Sequence, residues 1–150
     1  MADLSGRTDL AVGDVAQQGA TVEEYECEAA VTKGQAVYMS SAGKISPTTV
    51  AAEIAIGIAT MTKAIGEMCP VCTEGKIKVT AGGAIALSGS VRGSTAGKVI
   101  ANPYAADITM VDKALGNNAW TAAAADADLI LIKVNRYCEK FLFQNSMKAS

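Results

Sequence analysis

From Glu24 onward, several segments of this chain place apolar residues at every second position. That period marks half-buried strands, not amphipathic helices. AVYMS (Ala36–Ser40) alternates, and Ser41-Ala42-Gly43 behind it supplies turn residues. KISP (Lys44–Pro47) predicts a short strand ended by its proline, and TTVAAE (Thr48–Glu53) leaves room for one helical turn. IAIGIATM (Ile54–Met61) predicts a buried strand in which Gly57 marks a bulge or a close backbone approach. GEMCPVCT and GKIKVT predict two strands joined by a hairpin turn at Glu74-Gly75. Alternation within the second puts Ile77 and Val79 inside and Lys76, Lys78 and Thr80 outside. GAIALS follows, and the Gly/Ser-rich GSVRGSTAG predicts a loop. GKVIA, NNAWTAA and DLILIKVN predict strands, while NPYAADITMVDKA and RYCEKFLFQNS fit helix or strand equally. Short strands with glycine turns every eight to twelve residues point to a mainly β fold, a small barrel or sandwich.

Residues 1–23 follow a different grammar. They are polar, with Gly6, Gly13 and Gly19 and with Leu4, Leu10, Val12 and Val15 at no fixed period. This predicts an extended N-terminal arm, mobile in the free protein and ordered by a partner whose sheet edge it joins. A disordered tail is the plainer alternative. The chain then divides into an arm (1–23), a β-barrel domain (24–135) and a C-terminal segment (136–150).

The β-grammar is written twice. VTKGQAVYMS (Val31–Ser40) resembles VTAGGAIALS (Val79–Ser88) at an offset of 48 residues. Ala42-Gly43-Lys44-Ile45 is echoed by Ala96-Gly97-Lys98-Val99, and AIGEMCPV (Ala64–Val71) loosely by ADADLILI (Ala125–Ile132). Three markers in the same order, at a rising offset, predict a duplicated unit with insertions in its second copy. Neither copy alone buries its apolar face, so the two share a core.

Composition narrows the chemistry. The net charge is −2 and no Lys/Arg run exists, which argues against a nucleic-acid surface. No stretch is long and apolar enough for a membrane helix, and MADLSGRTDL lacks the apolar core of a secretory signal. The expectation is a soluble protein made in a cytoplasm. The absence of histidine removes Ser-His-Asp and Cys-His catalysis and histidine metal sites together. Cys69-Pro70-Val71-Cys72 could be a redox pair or half a zinc site. On an extended strand, however, residues three apart face opposite ways, so structural cysteines are expected, with a cysteine-ligated zinc β-domain as the rival binding module. Lys44 beside a hairpin turn suggests the lysine of lipoyl- and biotin-type barrels, but a solvated turn lysine is the simpler reading. The glycine-rich stretches fit neither phosphate-loop pattern. No cofactor and no enzymatic activity are expected.

The order VTKGQAVYMSSAGKISPTT, IGIA, GKIKVTAGGAIALSGSV and AGKVIA resembles the tailed-phage capsid cement, or head decoration, family over roughly residues 30–134. The resemblance implies a β-tulip-like barrel on the outer surface of an expanded icosahedral head. It further implies the major capsid protein as partner, an arm bridging neighbouring capsid subunits, and a homotrimer at three-fold positions. Leu4, Leu10, Val12 and Val15 are then the capsid-binding residues of the arm. With half the residues apolar and 19% charged, some apolar surface is expected at subunit contacts. Trp120, Ile130, Ile132, Tyr137, Phe141 and Phe143 are the candidate interface residues.

Overall fold

In a computed structural model of the chain, the described residues are 3–16, 18–104, 114–119 and 123–135. Eleven strands are formed among them: β1 (Thr21–Cys27), β2 (Ala36–Ser41), β3 (Lys44–Pro47), β4 (Ala55–Ala59), β5 (Met68–Thr80), β6 (Ile85–Ala86), β7 (Ser90–Gly93), β8 (Val99–Ala101), β9 (Gly116–Asn118), β10 (Ala123–Ala124) and β11 (Leu129–Asn135). One sheet runs β1-β3-β2-β4-β5-β11-β9-β7-β8, and β5 returns to pair with β1, closing the first five strands into a barrel. β6 and β10 form a separate small ladder. The mainly β, barrel-forming architecture is the one the alternation predicts.

The duplication is visible residue by residue. Parallel pairing of Cys27 with Ile45 recurs as Ala81 with Val99, each partner displaced by 54 residues. The β2–β3 hairpin pairs Val37, Tyr38 and Met39 with Pro47, Ser46 and Ile45. The β7–β8 hairpin pairs Val91, Arg92 and Gly93 with Ala101, Ile100 and Val99, again at 54. Val37 opposite Gly57 becomes Val91 opposite Gly116, and Ala59 opposite Val71 becomes Asn118 opposite Ile132, so the displacement grows to 59 and then 61. The connecting turns match as well. Glu67 accepts the Ala64 amide through Oε1 at 2.7 Å, and Asp128 accepts the Ala125 amide through Oδ2 at 2.8 Å. The second unit therefore repeats the order of the first and closes through the Ala81–Val99 bridge.

The Ala42/Ala96 and Ala64/Ala125 echoes are in the true register. The ten-letter likeness of Val31–Ser40 to Val79–Ser88 is not. Val31 matches Ile85, and both are fully buried. Strand-then-turn composition recurs within a unit as well as between units, and that recurrence produced the false alignment.

β5 belongs to both units. Its first half closes barrel one against β1, and its second half stands where β1 stands, pairing with β11. Glu74-Gly75 is thus not a hairpin turn but an irregularity inside one strand, where the β1 register shifts. Gly75 has φ +133°, and a Cβ there would lie 2.6 Å from the Ala20 Cβ. GSVRGSTAG is likewise not all loop: Ser90–Gly93 forms β7, followed by a single 3-10 turn at Thr95–Gly97. TTVAAE makes a non-helical turn in which Glu53 accepts the Thr49 and Val50 amides.

Two apolar clusters fill the units. Cys27, Val31, Val37, Ile45, Ala59, Cys69 and Val71 line barrel one. Ile77, Val79, Ala81, Ile85, Val91, Val99, Ile130 and Ile132 pack in the other cluster, joined by Ala36, Ala55, Ile58 and Cys72 from the outer face of barrel one. The glycine expected at a close approach is found there. A Cβ on Gly57 would lie 2.4 Å from the Cys72 carbonyl oxygen, and one on Gly116, its counterpart, 1.9 Å from the Lys133 oxygen. Replacing either by alanine must push neighbouring strands apart. Gly57→Ala and Gly116→Ala should each destabilise by about 2–3 kcal/mol, whereas Gly83→Ala, which meets nothing within 4 Å, should be nearly neutral. Urea midpoints of the three variants check this.

Candidate functional site

The two thiols of the CxxC stretch are kept apart. Cys69 and Val71 face the interior of barrel one, while Cys72 faces the other cluster. The two thiols reach different backbone oxygens, Met61 for Cys69 and Glu74 for Cys72, each at 3.5 Å. Alternation along β5 thus holds the CxxC sulfurs on opposite faces. Burial, with the Cys27 thiol beside it, pushes Cys69 up to about 11, and burial also raises Cys72. Lys44 follows the β2–β3 turn and pairs with Glu26 at 3.2 Å. Two open depressions, of about 220 and 190 Å³, flank the Ala96–Lys98 turn. Lys98 and Asp126, 3.6 Å apart, are the ionised side chains lining the larger one. Among the described residues no group of three or more acidic or cysteine side chains could hold a metal.

What the fold builds instead is a pair of strand edges. One is occupied. Residues 3–16, expected as a free arm, lie along β5 and β11. Leu4 donates its amide to the Leu129 carbonyl at 2.7 Å. Lys78 donates its amide to Asp14 at 3.2 Å and accepts from Gly13 at 2.8 Å; the Lys76 carbonyl accepts from Ala16 at 2.8 Å. Leu4 and Val15 pack on the second apolar cluster, and Leu10 and Val12 are half-buried. Gly34 makes room for this segment, since a Cβ there would lie 2.2 Å from Val12 Cγ1. The spaced apolar residues of the segment are anchors within its own chain.

Lys78 explains why. Alternation placed it outside, and it does leave the barrel, but the N-terminal segment covers it until 1% remains exposed. Its ammonium donates to the Asp3 carboxylate, to the Leu10 carbonyl at 2.9 Å and to the Arg7 carbonyl at 3.1 Å. All three protons are used, as a buried cation requires. Nearby, the Lys33 ammonium pairs with Asp14. The Lys78 hydrogen bond, then that of Ser5, holds the Asp3 carboxyl below its ordinary range; Lys33, then the Ala11 amide, does the same for Asp14. The signal was present in the sequence as Asp3, Asp9 and Asp14, with Arg7 the one basic residue among them, set against the lysines of KIKVT.

The other edge is open among the described residues. Thr21–Glu24 of β1 is exposed along its length, with Val22 46% exposed. Exposed apolar side chains also collect between β4 and β5, at Met61 (47%), Ile65 (70%) and Met68 (49%). Of the expected interface residues, Ile130 and Ile132 are fully buried core residues facing Val79 and Ile77. They occupy the places Cys69 and Val71 take in barrel one, so they cannot meet a partner. Trp120, Tyr137, Phe141 and Phe143 lie outside the described residues.

The chain matches no protein-family model and no curated protein. Among solved structures it is similar to the N-terminal base of the head fibre protein gp8.5 of bacteriophage phi29, with a TM-score of 0.52 and 13% identity, over 77% of this chain and 94% of that one. The likeness establishes the fold.

Because the Lys78 ammonium holds the Asp3 carboxylate and the Arg7 and Leu10 carbonyls, Lys78→Met leaves these oxygens without their cation and should free the N-terminal segment. The cost, reduced by the quarter-exposure of the Asp3 side chain, is about 2–3 kcal/mol. Trypsin should then cut after Arg7 at least tenfold faster. Asp3 and Asp14 have lowered folded values, so their contribution is complete above the unfolded value near pH 4. It is lost as pH falls through the folded values. Urea midpoints from pH 6 to pH 2 should fall over that window, less steeply in Lys78→Met.

Proposed function

We propose that the chain is a structural protein of a tailed-phage head, bound to the outer surface of the expanded capsid and bridging major capsid subunits. The observation that carries this reading is its likeness to the phi29 head fibre base across nearly all of that domain. The order of strand and turn motifs resembling the head decoration family supports it independently. In this reading the chain performs no catalysis, takes no cofactor, is made in the host cytoplasm and ends on the virion. Three-fold positions on the shell would receive it as a homotrimer. No helix among the described residues is long and apolar enough to cross a membrane.

Such a protein acts by mass action, since a ligand that binds only the intact shell stabilises it. Many copies, each touching several capsid subunits, make weak single contacts sufficient. Among the exposed apolar side chains of the described residues, Met61, Ile65 and Met68 lie together on the β4–β5 side of barrel one and are available for contact. Purified protein should co-sediment with expanded heads assembled from the major capsid protein of the same virus, with saturating stoichiometry at three-fold positions. Ile65→Asp with Met68→Asp should weaken retention at least tenfold while leaving thermal unfolding within a degree or two. Wild-type protein that stays in the supernatant at saturating concentration would overturn the proposal.

A further inference from the structure

The two units treat the same strand edge differently. On β5, the amide and carbonyl of Lys78 point away from β11 and are taken by Asp14 and Gly13. The residue 54 positions earlier is Glu24. Its partner across the ladder, Pro70, is displaced by the same 61 residues from Leu131, the partner of Lys78. Glu24 therefore presents its backbone to the matching side of β1. Val22 stands in the same way for Lys76. Among the described residues, no backbone group bonds Val22 or Glu24 on the side away from β5. Among the described residues the fold thus offers one strand-docking edge twice, filled once and open once.

We infer that the open β1 edge at Val22–Glu24 is a docking site for an extended segment of another protein carrying Lys or Arg, laid antiparallel as residues 13–16 lie on β5. By analogy with the filled edge, three backbone bonds would form: Glu24 N–H to a partner carbonyl, and partner amides to the Glu24 and Val22 carbonyls. Main-chain bonding of this kind is indifferent to sequence, and side-chain charge selects the occupant. The filled edge shows the rule. Its lysine, Lys78, holds a segment bearing Asp3, Asp9 and Asp14, with Lys33 pairing Asp14. On β1 the sign is inverted, because Glu23 and Glu24 stand where the second unit has Ile77 and Lys78, while Glu26, in the place of Thr80, is already paired with Lys44. A second copy's acidic N-terminal segment is therefore repelled and a basic one attracted. Charge on an edge strand can also serve only to prevent pairing; that alternative is an outcome of the test. The inference stands on the internal duplication and is independent of the phage reading.

Two synthetic peptides probe it against the isotope-labelled full chain. One is residues 8–16, TDLAVGDVA; the other carries Asp9→Lys and Asp14→Lys. The inverted peptide should bind at least tenfold more tightly than the native one and slow hydrogen exchange at the Val22 and Glu24 amides. Glu24→Lys should abolish that preference, and Glu24→Gln should reduce it partway; Glu24 is exposed, and unchanged thermal unfolding confirms the fold. The inference is overturned if neither peptide binds, which marks a merely guarded edge. It is equally overturned if the inverted peptide binds Glu24→Lys as well as wild type, or if protection appears at Lys78 in place of Glu24.

Discussion

One strand serving two units is the constraint on which the rest of this structure depends. β5 must satisfy β1 and β4 with its first half, and β11 and the N-terminal segment with its second. Its side chains must also change allegiance along the way, Cys69 and Val71 to one core, Cys72, Ile77 and Val79 to the other. A regular strand cannot do this, because strict alternation keeps one face on one side. The irregularity at Glu74-Gly75 resolves the conflict, and only glycine takes its positive φ beside Ala20 without strain. Neither unit is complete without β5, so the two barrels fold as one body.

Duplication made the scaffold, and divergence at matched positions made it asymmetric. Where barrel one has Ala59, the second unit buries Asn118, whose amide nitrogen reaches the Ala86 carbonyl at 3.2 Å and ties the β6 excursion to the sheet. Where one turn has Gly66 at φ +86°, its counterpart carries Ala127 at +69°. Most consequential is Glu24 against Lys78. A lysine on a sheet edge is a common guard against pairing. Here it has become a ligand for the chain's own acidic segment, because three oxygens converge on its ammonium. The glutamate kept its edge exposed.

Much of this was legible in the residues. Alternation located β2, β4, β8 and β11, the close approach at Gly57 followed from a glycine inside an apolar strand, and the divergence of Cys69 from Cys72 followed from strand geometry. The duplication was legible too, although its register was not: short apolar strands and glycine turns are too alike to fix an alignment, whereas ladder partners fix it uniquely. The docking of the N-terminal segment was not legible for a related reason. Leu4, Leu10, Val12 and Val15 have no period because they anchor to several elements in turn. Their true partner, Lys78, looked like a solvent-facing residue until something covered it. Hydrophobicity alone marks Ile130 and Ile132 equally as interface or core residues, and pairing with Val79 and Ile77 places them in the core.

The account stands or falls on the inequality of two matched edges, which native-state hydrogen exchange of the isolated full chain reads in one experiment. The amide of Lys78 donates to Asp14 and should exchange orders of magnitude more slowly than the amide of Glu24, its counterpart in the first unit. Comparable, slow exchange at both would show that the β1 edge is already covered. Comparable, fast exchange would show that the N-terminal segment does not hold the β5 edge, and either result would contradict the account.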